Sequence, residues 1–355
     1  MQAPRASTVK LTSLGVILCG IGLVEPAHAA PLFEDEASLS AVMAVPLAQA
    51  YRQRKQDERF YVQGHWSYND ASGNKIRLPL QVRTRGNFRR LNCRQPPLQL
   101  NFRKSTLPGT LLAKQDKLKL VGPCSNSDSA RQRVLVEEFA YRIHEIVAGD
   151  AAFATRRIDL AYVDTDKKYK PREDQTFVIE PIDGLAKRLG GKEFKGTKTR
   201  HSTLDAERAV LVEVFQYMIG NTDFSMVASP PYDDKCCHNV KLIEVEGSGR
   251  GLVPVPYDFD FSGIVDAPYA SPSDKIPIRS VTKRYYMGVC RKDGLIEQAV
   301  AHIRSKRADI YAALDATDGL NERYANKTRK YLDEFFAIAD DPAQVERRLV
   351  KRCRG

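Results

Sequence analysis

The chain has 355 residues, 55 Lys and Arg against 44 Asp and Glu, seven Cys, one Trp and 43% apolar residues. A charged fraction of 28%, with 22 Gly and 19 Pro, excludes a collagen-like, coiled-coil or disordered chain, and no internal repeat is present. The length suffices to bury a core without metal or disulfide staples, as one large domain or two ordinary ones.

The one long apolar run, Leu11 to Val24, follows Arg5 and Lys10 and precedes Pro26-Ala27-His28-Ala29-Ala30. Its 14 residues are short for a spanning helix, and Ala27 and Ala29 supply the small −3 and −1 residues of a signal-peptidase site. The expectation is a secretory leader over residues 1–29, cut after Ala29, and a mature protein in the periplasm or secreted. Cys19 follows Leu18 rather than a small residue, so a lipid anchor is not expected. No transmembrane segment is expected in the mature chain.

The formal net charge is +11. Clusters such as Arg52-Gln53-Arg54-Lys55 and Arg83-Thr84-Arg85 are short and lack interleaved aromatics, so they read as solvated surface, and nucleic acid is not an expected partner. A phosphate-bearing ligand or an anionic envelope surface is compatible with this charge. Six cysteines follow the leader, at positions 93, 124, 236, 237, 290 and 353. An even number in an oxidising compartment suggests disulfides, with 15 possible pairings. A bond between the adjacent Cys236 and Cys237 is disfavoured because its small ring distorts the peptide. Position in the chain favours Cys93 with Cys124, and Cys236 or Cys237 with Cys290. Cys236-Cys237-His238 lacks the ligand spacing of a zinc site.

In chain order, strands are expected over Phe60–Trp66 and Lys75–Arg83, joined as a hairpin by a turn over residues 69–74. Shorter strands follow over Pro97–Phe102 and Lys117–Val121. Asp128 or Ser129 can cap a helix to about Val147 that buries Leu135, Phe139, Ile143 and Ile146. Strands over Arg157–Val163 and Thr176–Ile182 flank a polar loop. A Lys- and Gly-rich stretch, Gly184 to Ser202, reads as a linker, so residues 30–183 form a β-rich part and residues 184–355 a helical part. The helices of the second part are expected over Leu204–Gly220, Gly294–Leu314, Leu320–Ile338 and Pro342–Cys353.

The chemistry concentrates between these helices. Asp223 follows a helix in Gly220-Asn221-Thr222-Asp223, Asn239 opens a strand in His238-Asn239-Val240-Lys241, and Asp258 ends one in Pro256-Tyr257-Asp258-Phe259-Asp260. Taken singly, each is an ordinary turn residue. Together they match what phosphoryl transfer requires: a carboxylate to orient the attacking hydroxyl, and hard oxygen ligands for magnesium.

These segments resemble the spore-coat CotH-like kinase family of atypical kinases, and so does the chain upstream. Arg83-Thr84-Arg85-Gly86-Asn87 resembles the family's Arg-Gly-Asn segment. Asp116 to Val121 followed by Arg131 resembles its strand and helix, and Phe177-Val178-Ile179-Glu180-Pro181-Ile182 its strand ending in Glu. The likeness covers roughly Val82 to Ala267. It implies an α+β fold, two-lobed and protein-kinase-like, with a β-rich N-terminal lobe and a mainly helical C-terminal lobe. It also implies Mg2+ and ATP as cofactors, Asp223 as the catalytic residue, and Asn239, Asp258 and Asp260 at the metal. Lys119, with Glu137 or Glu138 as its partner, and Glu180 are the candidates for contact with the nucleotide.

The segment after Arg-Gly-Asn lacks the family's lysines, and the loop from Phe224 to Cys237 is long, so the phosphate-binding cation is the least defined part. The function implied is an exported phosphotransferase acting on a hydroxyl of a protein or small-molecule acceptor. A non-catalytic binding protein of the cell envelope and a hydrolase using Asp223 and Asp258 as acid and base are the alternatives.

Overall fold

The computed structural model describes residues 32–230, 235–291 and 294–355. The expected leader, Cys19 and the cut after Ala29 lie outside the described residues.

Seven strands close a barrel: β1 (Leu39–Val45), β2 (Val62–Asn69), β3 (Lys75–Thr84), β4 (Leu98–Phe102), β5 (Lys117–Val121), β6 (Thr155–Asp164) and β7 (Arg172–Ile179). Their order is β1-β2-β3-β4-β5-β7-β6. Neighbours are antiparallel except β1 and β6, which run parallel with Leu39 opposite Ile158 and Val45 opposite Asp164. Alternation along each strand sends Met43, Trp66, Leu80, Leu100, Leu160 and Val178 into a common interior. The hairpin turn between β2 and β3 is held by Asp70 Oδ1, which accepts from the amides of Ser72 and Asn74 at 2.9 and 2.8 Å.

Two short helices, α1 (Leu47–Arg52) and α2 (Phe88–Asn92), follow β1 and β3. The long helix α3 (Asp128–Ala148) is capped by Ser127, whose hydroxyl accepts from the Ala130 amide at 3.2 Å. After the barrel come α4 (Ile182–Arg188), α5 (Ala206–Ile219), α6 (Leu295–Ser305), α7 (Arg307–Asp315), α8 (Glu322–Ala339) and α9 (Pro342–Arg348). A second sheet orders β10 (Val253–Pro256), β9 (Val240–Val245) and β8 (Gly191–Glu193), all antiparallel.

This architecture corrects the expected two-lobed protein-kinase-like fold with a β-rich N-terminal lobe and a helical C-terminal lobe. The first sheet is a closed mixed barrel, because β1 pairs with both β2 and β6 and leaves no free edge. The barrel interior is one apolar cluster, and a second spans sheet and helices. Phe139 and Ile143 of α3 share one cluster with Phe177 of β7, Phe215 of α5 and Phe335 of α8.

Smaller differences have local causes. The stretch expected as a linker contributes α4 and β8, and β8 completes the second sheet. The helix expected over Gly294–Leu314 breaks at Lys306, so that α6 packs on α5 and α7 packs on α3 and α8.

Cys93 is bonded to Cys124 and Cys290 to Cys353. Cys236 is joined to Cys237 across a cis peptide, so neither anchors its loop to Cys290. Among the described residues, no helix is long and apolar enough to cross a membrane.

Candidate active site

Helix α5 ends where the first polar group is needed. Asp205 caps its start, accepting from the Arg208 amide at 3.0 Å, and Gly220 ends it in the left-handed region at φ 68°. A Cβ at Gly220 would fall on the Tyr331 hydroxyl. Gly220→Ala is therefore expected to cost at least about 1 kcal/mol, from the left-handed backbone alone, in chemical denaturation. Beyond it, the buried Asn221 accepts from the Asp223 amide at 3.0 Å, a local turn that presents the Asp223 side chain.

The Asp223 carboxylate is held on both oxygens. His238 Nε2 lies 2.8 Å from Oδ1, and Asn239 Nδ2 donates to Oδ2 at 3.0 Å and to the Asp223 carbonyl at 2.8 Å. Asn239 sits just before β9 with φ 51°, a conformation that Asn tolerates better than most residues. Its carbonyl accepts from the Tyr257 amide at 3.0 Å, which fixes the end of β10 beside the start of β9.

Asp258 follows directly, with φ 65°, and its amide donates to the Tyr141 hydroxyl at 2.8 Å. Tyr141, on α3, is itself held in the aromatic core against Phe177 and Phe259, with ring centroids 5.5 and 4.6 Å away. The backbone that carries Asp258 is thereby tied to α3.

Asp260 is buried and accepts from the Tyr269 hydroxyl at 3.0 Å. From α3, Glu137 comes to the same place, buried, with Arg89 Nη1 at 3.1 Å from its Oε2. Arg89 Nε stands 3.9 Å from Asp260, and Arg89 Nη2 donates to the Gly122 carbonyl at 2.6 Å. Glu137, Asp258 and Asp260 each offer a carboxylate oxygen within 4.8 Å of the others. Glu137 Oε1 is buried without a hydrogen-bond partner among the described residues.

Burial raises the Glu137 carboxyl above its ordinary range, against the pull of Arg89 and with the help of the Asp260 and Asp258 charges. Burial, followed by the charge of Asp258, raises Asp260 in the same way. Such a trio suits a hard divalent cation, which takes oxygen ligands and relieves like-charge repulsion.

Asp223, Asn239, Asp258 and Asp260 all line one cleft of about 380 Å³, together with Arg85 and Arg89. The two candidate nucleotide contacts are placed outside this lining. Lys119, on β5, is half-buried with its ammonium 4.5 Å from the centroid of the Tyr257 ring, and Tyr257 is part of the cleft wall. Burial, then the like charge of Arg85, pushes that ammonium down to about 7, against the pull of Asp258. Glu180 is buried in an ion pair with Arg188 at 2.6 Å and accepts from the Ala154 amide at 3.2 Å.

Lys119 does not receive the helix partner expected for it. Glu137 pairs with Arg89, and Glu138 accepts from the Thr155 hydroxyl at 3.0 Å. Arg131 pairs with Asp174 at 2.8 Å. Three residues gain roles that the motifs did not assign: Arg89 beside the carboxylates, Glu137 as one of them, and His238 as the partner of Asp223. A signal for Arg89 existed in its position just after Arg-Gly-Asn. Nothing in the sequence separated Glu137 from Glu138.

The chain matches no protein-family model and no curated protein. The resemblance to CotH-like kinases therefore rests on the motifs alone, and the chemistry has to be argued from the cleft itself.

Proposed function

We propose that the protein is an exported phosphotransferase that uses magnesium and a nucleotide to phosphorylate a hydroxyl group of a protein or small-molecule acceptor. One observation carries this reading: Asp223, Asn239, Asp258 and Asp260, from three separate segments, line a single cleft. Glu137, Asp258 and Asp260 would hold the metal, with the amide oxygen of Asn239 available from the same cleft. When bound, a divalent ion neutralises charge on the phosphate oxygens.

Asp223 orients the acceptor hydroxyl and takes its proton. His238 and Asn239 keep its carboxylate from turning away. Arg85, in the cleft wall, offers a full positive charge to a polyphosphate, and Lys119, against the Tyr257 ring, offers part of one at neutral pH. Export rests on the leader and its cut after Ala29. The Cys93–Cys124 and Cys290–Cys353 disulfides suit an oxidising periplasmic or extracellular compartment. No nucleic-acid partner is expected.

A second reading, a non-catalytic binding protein, also has an observation in its favour. Both Asp223 oxygens are already engaged, and the Arg89 guanidinium lies against Glu137 and Asp260 where a metal would otherwise be attracted.

Thermal unfolding with magnesium and ATP is the direct test. At a hundredfold excess over its dissociation constant, a ligand of the native state adds about 2.7 kcal/mol of stability. Wild-type protein is expected to melt higher only with both components present, and Asp258→Asn to lose that shift. Transfer of labelled γ-phosphate to an acceptor, lost in Asp223→Asn, then separates the enzyme from the binding protein. Nucleotide-independent hydrolysis of an ester or glycoside would instead favour the hydrolase. No shift in either protein would remove nucleotide from the proposal.

A further inference from the structure

A second concave site shares no lining residue with the acidic cleft. Six cations, Arg52, Arg54, Lys55, Arg94, Lys170 and Arg172, line a cavity of about 720 Å³, and among the described residues no carboxylate lines it. The walls come from α1 and the chain just after it, the segment following Cys93, and the approach to β7.

Two of the cations are held in place. Arg54 Nη1 donates to the Cys93 carbonyl at 2.9 Å, and Cys93 is itself fixed by its bond to Cys124. Arg172 Nε donates to Asp174 at 2.9 Å, with the guanidinium 3.9 Å from the centroid of the Tyr162 ring. The other four, Arg52, Lys55, Arg94 and Lys170, are exposed and form no ion pair among the described residues.

Arg172 has a counter-charge in Asp174, but the cations without one repel one another, and a bound anion reverses that sign. Guanidinium groups in particular match the paired oxygens of a phosphate. The volume lies within the range of small-molecule sites, and a recess of this kind envelops a compact solute better than it meets a flat surface. Tyr51 and Tyr169, with ring centroids 5.9 Å apart, line the same cavity and offer a face for an aromatic or sugar ring.

We infer that this basic cavity is a binding site for a soluble, multiply charged phosphate-bearing anion, independent of the acidic cleft. It does not rest on the phosphotransferase reading.

The test is titration calorimetry of the mature protein with sodium tripolyphosphate, without divalent metal and at physiological ionic strength. Wild type is expected to bind one equivalent. The quadruple variant Arg52→Ser, Lys55→Ser, Arg94→Ser, Lys170→Ser is expected to bind at least tenfold more weakly, and the single charge reversal Lys170→Glu to be weakened in the same direction. A control with the same loss of charge, Arg323→Ser, Lys330→Ser, Arg347→Ser, Lys351→Ser, is expected to bind like wild type.

Equal weakening in both quadruple variants would reduce the effect to net charge and overturn the site. So would undiminished binding in the cavity variant, which would place the probe elsewhere on the molecule. Sedimentation with phosphatidylglycerol vesicles is the final arm. Capture by vesicles without any affinity for tripolyphosphate would assign the charge to a membrane surface and overturn the proposal.

Discussion

Arg89→Met is expected to lower the stability of the folded chain by about 3–5 kcal/mol, the usual result of removing one partner from a buried charge cluster. The guanidinium is buried, as are Glu137 and Asp260 beside it, so its loss leaves carboxylates facing one another without a cation. The deficit should depend on magnesium. With Arg89 gone, the carboxylate trio attracts a divalent ion more strongly, so added magnesium should restore more stability to the variant than it adds to wild type. Urea unfolding with and without 10 mM magnesium, with sodium sulfate as an ionic-strength control, measures both effects. A variant as stable as wild type, or one indifferent to magnesium, would show that Arg89 is not the internal counter-ion of this site.

The second large effect concerns acid. His144, on α3, is buried beside the Phe215 ring, 4.7 Å between centroids, and its Nε2 has no hydrogen-bond partner among the described residues. Burial, followed by the positive charge of Arg208, pushes the imidazole down to about 3 from its ordinary 6.5. The unfolded chain therefore binds a proton that the native state refuses between those values. Stability from this residue is fully present above pH 6.5 and declines as pH falls toward 3.

One pH unit in this window corresponds to about 1.4 kcal/mol, so roughly 2 kcal/mol is lost by pH 5. The raised carboxyls of Glu137 and Asp260 act with the opposite sign, because they bind protons more readily in the native state. The His144 share is thus read as the difference between wild type and His144→Phe. The variant is expected to lose the acid-dependent decline in denaturation midpoints between pH 7 and 5, and parallel curves for the two proteins would refute the assignment.

The sequence by itself determined the elements that local chemistry signals. Strand alternation marked the hairpin of β2 and β3, and an apolar stripe marked α3, whose cap is Ser127 rather than the expected Asp128 or Ser129, because these patterns act within a few residues. It also marked Asp223, Asn239 and Asp258, since a polar group at the end of an apolar element stands out along the chain. Two disulfide partners, Cys93 and Cys124, were legible for the same reason of neighbourhood.

What only the tertiary structure decided depends on contacts far apart in the chain. β1, Leu-Ser-Ala-Val-Met-Ala-Val, carries two alanines and no aromatic, so its preference for a strand is weak. Pairing with β2 and β6 makes it one, and that pairing closes the barrel and overturns the two-lobed expectation. The choice of Glu137 over Glu138 is a matter of rotation about the α3 axis, invisible in a sequence where both are adjacent. Arg89, His238 and the basic cavity are the same kind of fact. Each is an electrostatic partnership formed across the fold, where distance in space, not position in the chain, sets the energy.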